Sequence, residues 1–162
     1  ADRLYKEDNN VVVDNVKNHA LMPFVQLRNA SSPERKFEAY LEANTECIDW
    51  WYKNGDSGKQ HYAVSYVDGT GTKALFYVDF VIRMKNGQIF LFDTKSVGSD
   101  GDAPAKHNAL IDYMASEENQ GKHLKGGVII ADGSNWKYSP LKIENTTGII
   151  NWDCFYPSDY KE

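Results

Sequence analysis

The sequence predicts an α/β fold in which helices flank a central mixed β-sheet, in the order αβββαβ. Three observations carry that expectation. Apolar residues recur at helical spacing after Ser31-Ser32-Pro33-Glu34. A series of β-rich runs, separated by Gly- and Asn-containing turns, fills the stretch from Ile48 to Lys95. A second helical pattern is followed by the wholly apolar run Gly126-Gly127-Val128-Ile129-Ile130-Ala131. Apolar periods near 3.6 and 2 separate helix from strand, and strands covered by helices bury their apolar faces in layers.

The elements follow in order. Residues 1–30 form an N-terminal lead-in, expected to pack on the core, with a strand or two from Val11-Val12-Val13 and from Leu21 to Leu27, broken by Pro23. Residues 31–162 form the main domain. Its first helix starts with a Ser cap, Pro in the first turn and an acid after it; Phe37, Tyr40 and Leu41 then mark its buried face. Ile48–Tyr52, His61–Val67, Ala74–Met84 and Gln88–Lys95 read as consecutive antiparallel strands, with loops at Asn54-Gly55-Asp56-Ser57-Gly58, Asp68-Gly69-Thr70-Gly71 and Lys85-Asn86-Gly87. The loop from Gly98 to Asp102 ends in an acid cap, and Ala109, Leu110, Tyr113 and Met114 give the second helix its apolar face. The apolar run from Gly126 is expected to be a strand buried on both faces and parallel to a neighbour. Trp136–Leu141 and Ile149–Tyr156 read as edge strands.

With 162 residues and 13% aromatics the chain has the material for one domain with a real core. No apolar run is long enough to span a bilayer and no signal-peptide pattern opens the chain, so no membrane association is expected. Cys47 and Cys154 are too few for a disulfide framework or a zinc site. Both read as reduced thiols of a cytoplasmic protein. The formal net charge of -5 argues against a free-standing nucleic-acid binder with a basic stripe. It leaves room for a nuclease whose bound cations offset local acid.

The chemistry centres on one hairpin. The strand Gln88-Ile89-Phe90-Leu91-Phe92-Asp93-Thr94-Lys95 is apolar until it ends in Asp93 and Lys95, which share a face with Ile89 and Leu91. A second acid, Asp79, interrupts the preceding run Tyr77-Val78-Asp79-Phe80-Val81-Ile82. A two-residue Asn86-Gly87 turn would set Asp79 opposite Thr94. A three-residue turn with Gly87 left-handed sets Asp79 opposite Asp93, and this is the register expected. Like charges directly opposite destabilise a sheet, so the arrangement calls for a cation. Mg²⁺, with carboxylate, carbonyl and water ligands, supplies one, and Mn²⁺ is the substitute. Asp79, Asp93, the Thr94 carbonyl and an acid of the first helix are the expected ligands. Glu34 shares the buried face with Phe37 and Leu41, and Glu38 is held in reserve. Metal and Lys95 together suit phosphodiester hydrolysis.

Each residue has a plainer reading. An isolated Asp-x-Lys on a strand is usually a solvated ion pair, and an acid in a first helical turn is stabilised by the helix dipole whatever the function. Acids interrupting two apolar strands of one hairpin are harder to explain by solvation. Lys106 shares a face with Ala109 and Leu110 and could approach a phosphate, though such a Lys is more often solvated. Trp50-Trp51 reads as core and sheet packing. His19, His61, His107 and His123 lack ligand spacing.

Tyr77-Val78-Asp79-Phe80, then Phe92-Asp93-Thr94-Lys95, and the Glu34-x-x-Phe37-x-x-x-Leu41 helix together resemble the PD-(D/E)xK nuclease superfamily. More narrowly, the chain resembles the C-terminal endonuclease domain of type III restriction enzyme Res subunits. Trp50-Trp51-Tyr52-Lys53-Asn54-Gly55, Ala105-Lys106 opening a helix that runs to Glu117-Glu118-Asn119, and Gly126-Gly127-Val128-Ile129-Ile130 add to the likeness, which covers roughly residues 30–135. The resemblance implies a restriction-endonuclease-like core and Mg²⁺-dependent cleavage of double-stranded DNA, with Asp79, Asp93, Lys95 and Glu34 as catalytic residues. It also implies a helicase/ATPase module in the same or another chain, and a modification subunit. A single centre cuts one strand, so duplex cleavage needs a dimer or two visits. Val78 stands where the family has Pro, and Asp93 where the nearest relatives often have Glu. No Walker A loop occurs, so the ATPase of a complete restriction subunit is not expected here, and the chain reads as either a fragment or a stand-alone relative. Two other functions compete: a catalytically inactive interaction module of the same fold within a larger DNA-processing complex, and a glycosidase using Asp79 and Asp93 as acid and base. Lys95 fits phosphate better than sugar.

Overall fold

The computed structural model describes residues 10–12, 25–27, 32–53, 63–99, 101–116 and 118–162. Strands β1 (Asn10–Val12) and β2 (Val25–Leu27) pair antiparallel. The rest of the 1–30 lead-in, and with it the expected packing on the core, lies outside the described residues, as do the Ser31 cap, the loop at residues 54–58, His19 and His61.

Helix α1 (Ser32–Glu42) carries Pro33 and Glu34 in its first turn and buries Phe37, Glu38 and Leu41. A short 3₁₀ turn then leads into β3 (Ile48–Lys53). From here the chain departs from the expected run of consecutive strands. β4 (Ala63–Val67) and β5 (Lys73–Tyr77) pair with each other as a separate two-stranded sheet. β3 pairs instead with β6 (Phe80–Met84). The single strand expected over Ala74–Met84 is thus two strands in two sheets. The break falls at Val78-Asp79: Val78 is buried with Leu91 and Leu110, while Asp79 turns its carboxylate onto Thr94. Burying one residue and hydrogen-bonding the next takes this dipeptide out of ladder pairing.

β6 and β7 (Ile89–Lys95) form the antiparallel hairpin. Phe80 pairs with Phe92, Val81 with Leu91, Ile82 with Phe90 and Arg83 with Ile89, the register expected from a three-residue turn. Gly87 has a φ of +93°, and the Met84 N–H donates to the Gln88 carbonyl at 2.8 Å. Only a residue without Cβ adopts that φ without cost.

Helix α2 (Ala103–Ala115) crosses over from β7 to β8 (Lys125–Asp132), which runs parallel to β7. Asp102 stands at the α2 N-cap but makes no side-chain capping bond. The helix stops short of Glu117-Glu118-Asn119, because the Ser116 hydroxyl and the Asn119 amide both donate to the Tyr113 carbonyl at 2.8 Å. β9 (Asn135–Tyr138) and β10 (Asp153–Cys154) complete a six-stranded mixed sheet in the order β10-β9-β8-β7-β6-β3. The segment read as two edge strands therefore supplies one edge. β9 is interior because Trp136 stacks edge-on against Phe37, with ring centroids 4.9 Å apart, and Tyr138 against Phe92 at 5.3 Å.

One apolar layer lies between α1 and the sheet, built from Phe37, Leu41, Trp51, Phe80, Ile82, Phe90, Phe92 and Phe155 among others. The other joins Val78, Leu91 and Leu110, with α2 and β4 covering that face. The architecture is α/β: a mixed six-stranded sheet and two helices. Among the described residues no helix is long and apolar enough to cross a membrane. Cys47 and Cys154 are free thiols.

Candidate functional site

At the open end of the β6–β7 hairpin, opposite the Gly87 turn, Asp79 and Asp93 approach each other. They are 8% and 5% exposed, and Thr94 beside them is 4% exposed. Asp79 precedes β6 by one residue, so the hairpin register brings it to the level of Asp93. Its Oδ2 accepts two hydrogen bonds from Thr94, one from the backbone N–H and one from the hydroxyl, each 2.8 Å. Thr94, expected for its carbonyl, thus also anchors Asp79 with amide and hydroxyl.

Asp93 projects from β7 on the same side as Leu91, towards α2. Its Oδ2 lies 3.6 Å from the Lys95 ammonium. Burial pushes the Asp93 carboxyl up, the Asp79 charge and a hydrogen bond with Asp79 push it further, and Lys95 and Lys106 pull it back, leaving it at about 8. A carboxyl with that value holds its proton at neutral pH. Lys106 takes its place here from α2, with its ammonium 5.8 Å from the centre of the Tyr66 ring of β4.

The first-helix acids are divided. The Oε2 of Glu34 lies 3.3 Å from the Lys53 ammonium, and the same ammonium is 3.8 Å from Asp79 Oδ1. Glu38, one turn on, is the more deeply buried of the two, at 5% exposed. Lys53 is the functional candidate that reasoning from the sequence passed over. It is two residues from the buried Trp51, so strand alternation places it on the α1 face. That signal was present in the sequence, but its partners come from α1 and β6 and depend on a long-range pairing.

His107 is buried and structural: Nδ1 accepts the Val128 N–H at 3.0 Å and Nε2 lies 2.8 Å from the Leu141 carbonyl. Burial lowers its basicity, which suits a ring that accepts at Nδ1. Trp51 lies in the core with its ring 6.0 Å from that of Phe80, the packing role expected of it. Among the described residues no group of three or more His, Cys, Asp or Glu side chains is arranged to hold a metal ion. The carboxylates that do meet are the pair Asp79 and Asp93.

Comparison with protein-family models gave no match. No curated protein and no solved structure matched the chain either.

Proposed function

We propose that this chain is a metal-dependent endodeoxyribonuclease domain of the PD-(D/E)xK kind, hydrolysing phosphodiester bonds of double-stranded DNA. The observation that carries the reading is the buried Asp79–Asp93 pair with Lys95 alongside. Ordinary structural roles do not explain it, because two carboxylates in one dry site repel and one must stay protonated. The αβββαβ order of α1, β3, β6, β7, α2 and β8, with the β4–β5 hairpin inserted, suits a restriction-endonuclease-like core.

The donor set fits Mg²⁺ or Mn²⁺. Mg²⁺ is commonly held by one or two carboxylates, with waters and substrate phosphate filling the other positions, and the mutual repulsion of two adjacent buried acids is what a divalent ion relieves. Asp79 and Asp93 would hold it, with the Thr94 carbonyl as a further oxygen. When bound, the metal supplies Lewis-acid polarisation of the phosphate and a more acidic water. Thr94 fixes the Asp79 carboxylate through two hydrogen bonds. Lys95, 24% exposed, keeps its ammonium at the mouth, where it can neutralise charge developing on the phosphate and orient the attacking water. Lys106 adds positive charge on the same side.

Type III restriction is the setting that the sequence motifs favour. The domain would then act beside a helicase/ATPase module and a modification subunit in the cytoplasm, cutting both strands as a dimer or in two visits. The net charge of -5 favours one alternative, an inactive nuclease-fold module that serves protein contacts in a larger DNA-processing complex. Plasmid cleavage with Mg²⁺ or Mn²⁺ separates the two. The nuclease reading expects nicking by the wild-type chain, lost by at least about 100-fold in Asp93→Ala and Lys95→Ala. Cleavage that survives both substitutions sinks the reading.

A further inference from the structure

Lys53 is a charged group in an apolar seat. Its side chain is 8% exposed and its ammonium lies 4.9 Å from the centre of the Phe80 ring. Burying an ammonium is costly unless carboxylates compensate it, and even then replacing the whole ion cluster by hydrophobic side chains of similar size is often neutral or stabilising, although removing one partner alone is not. The stability of the fold alone therefore does not account for a Lys at this position. What the charge does is visible in its partners: Glu34 Oε2 at 3.3 Å and Asp79 Oδ1 at 3.8 Å. One ammonium joins the first helix to the acid that ends the β5–β6 break. Thr94 grips the other oxygen of the same carboxylate, so Asp79 is held from both sides.

We propose that Lys53 is a positioning residue, a built-in cation that clamps Asp79 between Glu34 and Thr94. Glu34 then belongs to Lys53 and not to the metal. The two faces of the sheet divide the work. The α1 face, with Lys53 and Glu34, is the closed support. The α2 face, with Asp93, Lys95 and Lys106, is the side on which a metal and a DNA phosphate would be held. A divalent ion held by Asp79 and Asp93 would meet the repulsion of the Lys53 ammonium beside Asp79, so Lys53 would weaken its binding while holding the Asp79 carboxylate in place. The catalytic consequence rests on the nuclease reading; the clamp itself does not.

The experiment uses the full chain and two readouts. In EDTA, Lys53→Met lowers the melting temperature by on the order of 10 °C, because buried Asp79 and half-buried Glu34 lose their counter-ion. Adding Glu34→Gln recovers part of that loss, whereas simple additivity of the two substitutions in this cycle overturns the clamp. With Mg²⁺ followed by calorimetry, Asp79→Asn weakens binding by more than about tenfold and Glu34→Gln changes it by less than about threefold, while Lys53→Met binds Mg²⁺ more tightly than wild type because a positive charge beside the ion is gone. In cleavage assays Lys53→Met loses about 10–100-fold in kcat with little change in KM, and Lys53→Arg recovers part of it. A Lys that merely supported the fold would lose metal affinity and activity together, and that result overturns the proposal. So does a loss of Mg²⁺ affinity in Glu34→Gln as large as in Asp79→Asn, which also decides the matter if Lys53→Met does not fold. If the wild-type chain neither takes up Mg²⁺ nor cleaves DNA, the nuclease reading fails, and the metal-free cycle still decides the clamp.

Discussion

Asp93 owes its behaviour to three neighbours that differ in sequence distance. Burial and Asp79 raise its carboxyl to about 8, against an ordinary value of 3.8, while Lys95 and Lys106 oppose them. The sign of the pH effect follows. Between those two values the folded chain binds a proton that the unfolded chain has released, so metal-free stability falls as pH rises through the window. In EDTA the melting temperature should therefore drop between about pH 6 and about pH 8.5, and Asp93→Asn should remove that part of the slope. Mg²⁺ needs the carboxylate, so its binding should tighten with pH up to about 8 and release a proton, which calorimetry in buffers of different ionisation enthalpy would detect. Equal melting temperatures at the two pH values would show that Asp93 is ionised without metal. Of this constellation, Asp79, Asp93 and Lys95 were legible in the sequence, because acids interrupting apolar strands stand out at period two. For Lys53 only its shared face with Trp51 was legible, since its carboxylate partners on Glu34 and Asp79 are brought to it by long-range pairing.

The hairpin and the β7–β8 crossover set where those residues meet. Gly87, at a φ of +93° with open space around it, makes the register a local property of the turn. Gly87→Ala should cost about 1–2 kcal/mol, seen as a lower urea midpoint, since an L-residue is strained in the left-handed region. Gly126 and Gly127 are needed for close approach. A Cβ on Gly126 would meet the Leu91 carbonyl, and one on Gly127 the His107 ring, at φ values of +141° and +139°. Gly127→Ala should cost about 2–4 kcal/mol and displace His107 from the Val128 amide. An unchanged unfolding midpoint would contradict that packing. These glycines read in the sequence as part of an apolar buried strand. Their role as the gap that admits Leu91 and His107 depends on which elements lie on either side.

At the scale of the molecule, one aromatic layer ties the C-terminal segment to the site. Phe155, 1% exposed, stacks against Phe90 and Phe92 with ring centroids 4.9 and 5.0 Å apart, and Phe92 immediately precedes Asp93. Phe155→Ala should destabilise the chain by about 3–5 kcal/mol in urea unfolding. A loss below about 1 kcal/mol would mean that this segment is an accessory and not part of the core. The sequence by itself determined what depends on near neighbours. Those features are the amphipathic faces of α1 and α2, the left-handed turn that sets the β6–β7 register, and the approach of Asp79 to the level of Asp93 that follows. The tertiary structure alone decided that the Ala74–Met84 run divides between two sheets, that β9 lies inside the sheet, and that the Lys53 ammonium stands between the carboxylates of Glu34 and Asp79. Periodicity and turn chemistry act over a few residues and leave their trace in the local sequence. Strand partners, buried ion pairs and core membership are settled by which distant segments exclude water together, and no short stretch of sequence carries that information.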